Sequence, residues 1–186
     1  WIGTWGAGVV RMKGGSFSMI DSANGLAGNQ IWSLQVDREG SVWVGTWVDG
    51  LNRLRNRAVV VLGTPEGLSH DNVRAVLQGR NGVSWVLTAG GGLNRIEGTH
   101  ISHLGKADGL PTDEISSLLE DSDGTLWIGS YTAGVARLSP QGRIERFGMA
   151  QGLPGVEIRV LFRDSQGTLW VGTRAGLARF TGTGFA

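Results

Sequence analysis

The sequence contains no cysteine, which excludes a disulfide framework and any zinc site built on cysteine ligands. It has no run of about 18 apolar residues, the length that a membrane-spanning helix needs, so we expect no membrane contact by this segment. The formal net charge is only +1, which gives no electrostatic reason to expect nucleic acid as a partner. Apolar residues nevertheless make up 40% of the 186 residues, enough for a sizeable core.

What the sequence does contain is a repeat. Glycine accounts for 32 of the 186 residues, a share well above the usual ~7%, and it recurs at fixed points of the period, where it marks turns. A phrase such as LWIGSYTAGVARL occurs five times, anchored by Trp1, Trp43, Trp85, Trp127 and Trp170, at intervals of 42, 42, 42 and 43 residues. Gly-Leu pairs keep the same period at 25–26, 67–68, 109–110 and 152–153. So does an arginine, at Arg11, Arg53, Arg95, Arg137 and Arg179.

Each period predicts four short strands. In residues 31–62 these are IWSLQV, SVWVGT, LNRLR and AVVVL, separated by Gly, Asp and Asn breaks. Four strands in a repeat of about 40–45 residues are typical of a β-propeller blade. We therefore predict an all-β propeller of four-stranded antiparallel blades, about five in this chain, four full and one partial. The repeats are expected at about 1–28, 29–70, 71–112, 113–155 and 156–186. An all-α solenoid is the disfavoured alternative for this period.

The segment GLPTDEISSLLEDSDGTLWIGSYTAGVARL resembles the two-component regulator propeller repeat. The matching features are Gly-Leu-Pro, an apolar strand ending in Glu-Asp, the Asp-Gly turn, Leu-Trp-Ile-Gly and the closing Arg-Leu. Residues 109–138 and 152–180 match best, whereas residues 79–92 depart, because Gly79 replaces the acidic turn residue and Leu87 replaces a glycine. The resemblance implies an extracytoplasmic, periplasmic-side sensor domain of a hybrid histidine kinase or diguanylate cyclase receptor, perceiving carbohydrate or another small ligand.

The strand count predicts open edges. The first blade begins at its second strand and the last ends within its fourth, so we expect either a piece of a larger propeller, seven-bladed in the family, or a homo-oligomer whose chains complete one another. The partners expected are thus a small-molecule or glycan ligand and the rest of the receptor or additional blades.

Several recurring residues have structural interpretations. The arginines suggest an anion-binding ring, but a residue that recurs in every blade is expected to serve the packing and pairing that all blades share. The expected partners of these arginines are Asp37, Asp121 and Asp164. The tryptophans are expected in the core between blades. The Asp121–Gly124 turn resembles a calcium loop, yet it lacks a third acidic position and the distal glutamate, so an Asx-type hairpin turn is favoured and no metal is expected.

No catalytic set can be assembled from the spacing of residues. His100 and His103 point to opposite faces of one strand, and His70 stands alone in a loop. No catalytic residue and no cofactor are therefore predicted.

Positions at which the repeats disagree are the candidate site. They lie after the Trp-x-Gly-Thr segment, at the second residue of the first strand, and just before that strand. All of these should emerge around one mouth of the central channel, where aromatic rings beside a few polar groups suit a ligand pocket. The candidate ligand-binding residues are Trp5, Trp47, Tyr131, Arg174, Trp32, Arg74, Arg159, Asp71 and Glu114.

The sequence thus predicts a non-catalytic ligand-sensing propeller. Two alternatives stay open: a protein-interaction or dimerisation platform with no small ligand, and a propeller enzyme such as a polysaccharide or antibiotic lyase. The enzyme would need His70 or an acid such as Asp71 beside a metal or a bound sugar.

Overall fold

A computed structural model describes residues 1–55, 58–80 and 82–186 of the chain. These residues form two compact units, residues 1–103 and 104–186. Within the described part, every sheet is antiparallel and its strands follow one another in chain order, so each sheet is a simple meander. The predicted all-β propeller architecture, with blade-like sheets of three or four strands, is confirmed.

The first unit contains three sheets. The first consists of β1 (Ile2–Gly3), β2 (Val9–Lys13) and β3 (Ser16–Ile20). The second consists of β4 (Ile31–Val36), β5 (Val42–Thr46), β6 (Leu51–Arg55) and β7 (Ala58–Leu62). The third consists of β8 (Val73–Gln78), β9 (Val83–Thr88), β10 (Leu93–Glu97) and β11 (His100–Leu104), the last of which ends at the boundary between the units.

The second unit contains two sheets. The fourth sheet consists of β12 (Ile115–Glu120), β13 (Leu126–Ser130), β14 (Val135–Leu138) and β15 (Ile144–Phe147). The fifth consists of β16 (Ile158–Arg163), β17 (Leu169–Thr173) and β18 (Gly176–Arg179). The strands predicted for residues 31–62 match β4 to β7 to within one residue.

A single turn of 3₁₀ helix precedes the first strand of four sheets. These turns are Ser22–Asn24, Thr64–Glu66, Lys106–Asp108 and Met149–Gln151. Each ends at the glycine of a Gly-Leu pair, where φ lies near +100° as only glycine readily allows. The leucine that follows is buried in every case, at Leu26, Leu68, Leu110 and Leu153. The pairs therefore stop the turn and anchor the connection between blades in the core.

Close packing between successive sheets depends on a second glycine position. A Cβ added to Gly45 would lie 2.6 Å from a methyl group of Val73 in the next sheet, and one added to Gly129 would lie 2.7 Å from a methyl group of Ile158. The glycine of the Trp-x-Gly-Thr phrase therefore lets the innermost strand of one blade pack directly on the preceding blade. Every residue of β5 and β13 is buried, so both faces of these strands are covered.

The turn aspartates hold the tryptophans of their own blades. The indole Nε1 donates to the carboxylate six residues earlier: Trp43 to Asp37 at 3.0 Å, and Trp170 to Asp164 at 2.8 Å. Backbone N–H groups of the turn donate to the other oxygen, for example Ser41 to Asp37 at 2.7 Å. Asx-type turns are thus present at Asp37 and Asp164, and at both the same carboxylate also fixes the indole.

The prediction that the repeated arginines pair with these aspartates is only partly right. Arg53 lies 3.7 Å from Asp37, but its guanidinium stacks over the Trp43 ring at 4.8 Å. Arg137 pairs with Glu145 across the ladder between β14 and β15, because the next blade's Arg163 occupies Asp121 instead. What Arg53 and Arg137 share is that each guanidinium lies over the ring of a buried tryptophan, Trp43 and Trp127 respectively.

Candidate functional site

A β-bulge places one group of candidate residues. In each of the four sheets with an innermost strand, the ladder register shifts immediately after that strand's first residue. The residue left unpaired is the second one of the strand, at Trp32, Arg74, Ser116 and Arg159. A bulge turns its extra residue away from the regular alternation of the strand. A position that varies among the repeats is therefore also one that the fold frees from pairing.

A backbone hydrogen bond places the other group. The residue after the Trp-x-Gly-Thr phrase donates its N–H to the carbonyl of the residue just before the innermost strand: Trp47 to Gln30 at 3.0 Å, Tyr131 to Glu114 at 3.0 Å. Arg174 makes the same bond to Glu157 at 3.0 Å. This bond brings the two variable positions of a blade to the same end of its strands.

Three candidate tryptophans form one cluster in the first unit. The Trp32 ring lies 4.7 Å from Trp47 and 5.7 Å from Trp5, and Trp5 lies 5.6 Å from Trp47 between ring centroids. Trp5 is 60% exposed and Trp32 is 46% exposed, although large aromatic side chains gain most by burial. We call Trp5, Trp32 and Trp47 the tryptophan cluster. It is an aromatic surface at the end of the strands opposite the Asp37 turn.

The same positions in the second unit carry charge. The Arg159 guanidinium lies 5.7 Å from the centre of the Tyr131 ring and forms an ion pair with Glu157. Arg174 also pairs with Glu157, at 3.5 Å. Glu114 is half-buried beside Tyr131, to which its carbonyl is bonded. We call Tyr131, Glu157, Arg159 and Arg174 the arginine group.

Two further candidates lie outside these groupings. Arg74 is the half-buried bulge residue of the third sheet. Asp71 uses both carboxylate oxygens within its own connection, accepting from the Thr64 N–H at 2.7 Å and from the Thr64 hydroxyl at 3.2 Å. Asn29 and Asp113 accept the equivalent backbone bond in their blades. This recurrence, at a fixed spacing of seven residues, gives Asp71 a turn-stabilising role.

Sequence reasoning missed Glu157. It was read only as part of a variable pair before the strand, yet its carboxylate joins Arg159 and Arg174. The available signal was the pair of arginines that follow this glutamate, Arg159 in the strand that begins after it and Arg174 in the turn beside it. Among the described residues, no group of three or more His, Asp or Glu side chains is arranged to hold a metal ion, and none of the helices is long and apolar enough to cross a membrane.

Comparison with known proteins bears on these groups. The model of the two component regulator propeller family matches three segments of the chain, residues 25–48, 109–132 and 152–175. This chain carries two-component regulator propeller repeats. The matched segments contain the Gly-Leu pair, the bulge and the turn aspartate, and residues 67–92, where Gly79 replaces that aspartate, are not among them. A search of curated protein sequences found no match.

Solved structures of similar fold include signalling domains and an enzyme. The extracellular domain of a hybrid two-component system from B. thetaiotaomicron is 26% identical over 97% of this chain and 25% of its own, with a TM-score of 0.79. A second such domain from the same organism is 21% identical over 82% of this chain and 24% of its own, with a TM-score of 0.69. Virginiamycin B lyase from Staphylococcus aureus is 19% identical over 83% of this chain and 53% of its own, with a TM-score of 0.63. The chain thus spans about a quarter of the length of the two-component domains.

Proposed function

We propose that this chain is a ligand-sensing part of an extracytoplasmic two-component-type receptor, non-catalytic, with the tryptophan cluster as its contact surface. The observation that carries the proposal is the exposure of Trp5 and Trp32, which the fold holds against Trp47 at bulge and turn positions. Ring edges and faces left in solvent at the variable end of the blades suit a ligand with apolar faces. The likeness to extracellular domains of two-component systems supports the receptor assignment and the extracytoplasmic location.

Carbohydrate is the ligand class that this surface suits best. A sugar ring offers an apolar C–H face that packs on an indole, and its hydroxyl groups pair with nearby polar atoms. Asn29 and Gln30 lie beside the cluster, since their carbonyls accept the N–H groups of Gly6 and Trp47. The arginine group would take a carboxylate or hydroxyl substituent by the same logic, because guanidinium groups bind carboxylates in a fork geometry.

The experiment is a binding screen with a built-in control. Oligosaccharides of two to six sugars, neutral and acidic, are titrated calorimetrically into the wild-type chain and into Trp32→Ala. Because Trp32 is 46% exposed, the variant should keep its fold, which circular dichroism checks. A sugar that binds the wild type and loses about tenfold or more in affinity with the variant supports the proposal. Binding that is equal in both, or none with any sugar, overturns the carbohydrate assignment.

A second candidate function, packing against a further blade-like sheet, rests on the outer face of the fifth sheet. There Leu177 is 65% exposed and Phe162 is 59% exposed. The residues equivalent to Leu177 in other blades, Leu51, Leu93 and Val135, are fully buried. Such a face fits another sheet of the same construction. Sedimentation of the chain tests this candidate: self-association that Leu177→Glu abolishes supports it, and monomers in both cases refute it.

A further inference from the structure

Two grooves between successive sheets have the same framework but different contents. One lies between the first and second sheets, within the first unit, and the other lies between the fourth and fifth sheets, within the second unit. Each has a repeated tryptophan on one wall, with the repeated arginine of the same sheet over its ring: Arg11 over Trp1 at 5.3 Å, and Arg137 over Trp127 at 5.5 Å. The two grooves can therefore be compared position by position.

Three phenylalanine rings and one carboxylate occupy the groove in the second unit. The rings belong to Phe147, Phe180 and Phe185. Their centroids lie 5.3, 5.6 and 5.6 Å from one another, and one of them lies 4.8 Å from the centre of the Trp127 ring. The carboxylate is that of Glu145, which lies opposite Arg137 in the strand ladder and forms an ion pair with it. The side chains of the protein itself thus fill this groove.

The groove in the first unit has smaller side chains at all four of these positions. Aliphatic residues stand at the three phenylalanine positions, namely Ile20, Leu54 and Val59. Ser18 lies opposite Arg11, at the position that the glutamate has in the second unit. This groove contains a cavity of about 490 Å³, a size typical of small-molecule sites.

The lining of this cavity combines apolar walls with positive charge. Its apolar part includes Trp1, Ile20, Val42, Leu54 and Val59. Two guanidinium groups, those of Arg11 and Arg55, also line it, and no carboxylate does so among the described residues. Arg55 lies 3.2 Å from Glu39, which is outside the lining. The cavity therefore suits a ligand that is apolar at one end and anionic at the other.

Arg11 is the cation best placed to bind such an anion. In the second, third and fourth sheets the repeated arginine forms an ion pair with at least one carboxylate. Within the described part of the chain, Arg11 contacts the Trp1 ring and forms no ion pair. A guanidinium group stacked on an indole keeps the N–H groups at its edge available for bidentate pairing with a carboxylate. Arg11 can therefore take an acid that the chain itself does not supply.

We propose that this cavity is a second binding site, which takes an aromatic carboxylic acid, such as a phenyl ring on a short alkyl chain that ends in a carboxylate. The carboxylate pairs with Arg11, and the ring lies against Leu54 and Val59, in the space that phenylalanine rings fill in the second unit. The lining includes Gly40, so the site lies at the turn end of the strands, away from the tryptophan cluster. It does not depend on the function proposed for that cluster.

The test is a calorimetric titration of the wild-type chain with 3-phenylpropionate and with 3-phenylpropanamide, which has nearly the same shape without the charge. The acid should bind at least about tenfold tighter than the amide. N-acetyl-phenylalanine presents the same ring and carboxylate as the C-terminal residue of a peptide. Tighter binding of this compound points to a peptide as the source of the acid, and tighter binding of 3-phenylpropionate points to a small metabolite. No binding of either acid at millimolar concentration, or equal binding of the amide, overturns the proposal.

The matched variants that test the place of the ring are Val59→Phe and Val60→Phe. The first puts a phenyl ring into the cavity, at the position that Phe185 has in the second unit, and should abolish binding of 3-phenylpropionate. The second makes the same change at the next residue, on the opposite face of the strand, and should leave binding unchanged. Undiminished binding to a folded Val59→Phe chain, or its equal loss in both variants, would place the probe elsewhere and refute the site.

A third variant, Arg11→Gln, tests the ion pair separately from the packing of the ring. Arg11 is exposed, so the variant should keep its fold, which circular dichroism checks. Its affinity for 3-phenylpropionate should fall at least about tenfold, while the weaker binding of the amide should stay unchanged. An unchanged affinity for the acid, or an equal loss for the acid and the amide, would show that Arg11 does not bind the carboxylate and would refute the proposal.

Discussion

Restoring the aspartate that the third sheet lacks should stabilise the protein. Trp43 and Trp170 each donate an indole hydrogen bond to a turn carboxylate six residues earlier. In the third sheet Gly79 stands at that position, and the Nε1 atom of Trp85 is buried without a hydrogen-bond partner among the described residues. Gly79 is not one of the glycines with positive φ, so its backbone accepts a side chain. The perturbation is therefore Gly79→Asp.

The magnitude follows from two contributions. A hydrogen bond to a charged group contributes about 1.5–3 kcal/mol, and replacing a glycine in a compatible conformation adds about 0.4–1 kcal/mol through the unfolded state. Desolvation of the new carboxylate, which Asp37 experiences at the equivalent position, opposes these. We expect the free energy of unfolding to rise by about 1–3 kcal/mol.

Urea denaturation followed by circular dichroism measures the change, with Gly79→Ala as the control. Alanine supplies the backbone effect without the carboxylate, so it should stabilise by only about 0.4–1 kcal/mol. The Trp85 indole resonance should also move downfield in Gly79→Asp alone. If Gly79→Asp raises the free energy of unfolding no more than Gly79→Ala does, then the unpaired Nε1 of Trp85 does not destabilise the protein, and the reasoning is wrong.

Two further predictions test the turn and the packing between blades. The hydrogen bond from the Trp170 indole, together with bonds from backbone N–H groups, lowers the pKa of Asp164 below the ordinary value of 3.8. The ionised Asp164 carboxylate therefore stabilises the fold above pH 3.8, and this stabilisation is lost as the pH falls through the lower pKa of the folded state. Acid denaturation should accordingly be less steep in Asp164→Asn than in the wild type. Gly129→Ala should destabilise by about 1–3 kcal/mol, because its Cβ would meet the Ser117 hydroxyl of its own blade and buried Ile158 in the next blade. Gly172→Ala should cost clearly less, because its Cβ meets only an exposed valine side chain; equal losses in urea denaturation would contradict the packing argument.

The fold could be predicted because every blade repeats the same local rules. The period of the tryptophans, the Gly-Leu pairs and the alternation of short apolar runs with turn residues all agreed, and β4 to β7 lie where the pattern placed them. The hydrogen bonds from Trp43 and Trp170 to aspartates six residues earlier were also visible as a constant spacing, but charge pairing with arginine was the more familiar interpretation.

The candidate site was less accessible to sequence reasoning. Variation among the repeats pointed to Trp5, Trp32 and Trp47, but contact between them depends on a bulge, and a bulge has no fixed residue signature. Asp71 varies among the repeats as a ligand residue would, yet its carboxylate binds Thr64 within its own loop. A variable exposed carboxylate and a turn-capping one look alike until the backbone is known.

The measurement that tests the central claim most directly is the indole region of a ¹⁵N–¹H correlation spectrum during a ligand titration. The chain has eight tryptophans, so it gives eight indole signals, assigned by Trp→Phe variants. An oligosaccharide that binds in the calorimetric screen should shift the signals of Trp5, Trp32 and Trp47. It should leave those of Trp43 and Trp127 in place, since both indoles are bonded to turn aspartates in the core. Shifts confined to any other tryptophan, or no shift at saturation, would contradict the account.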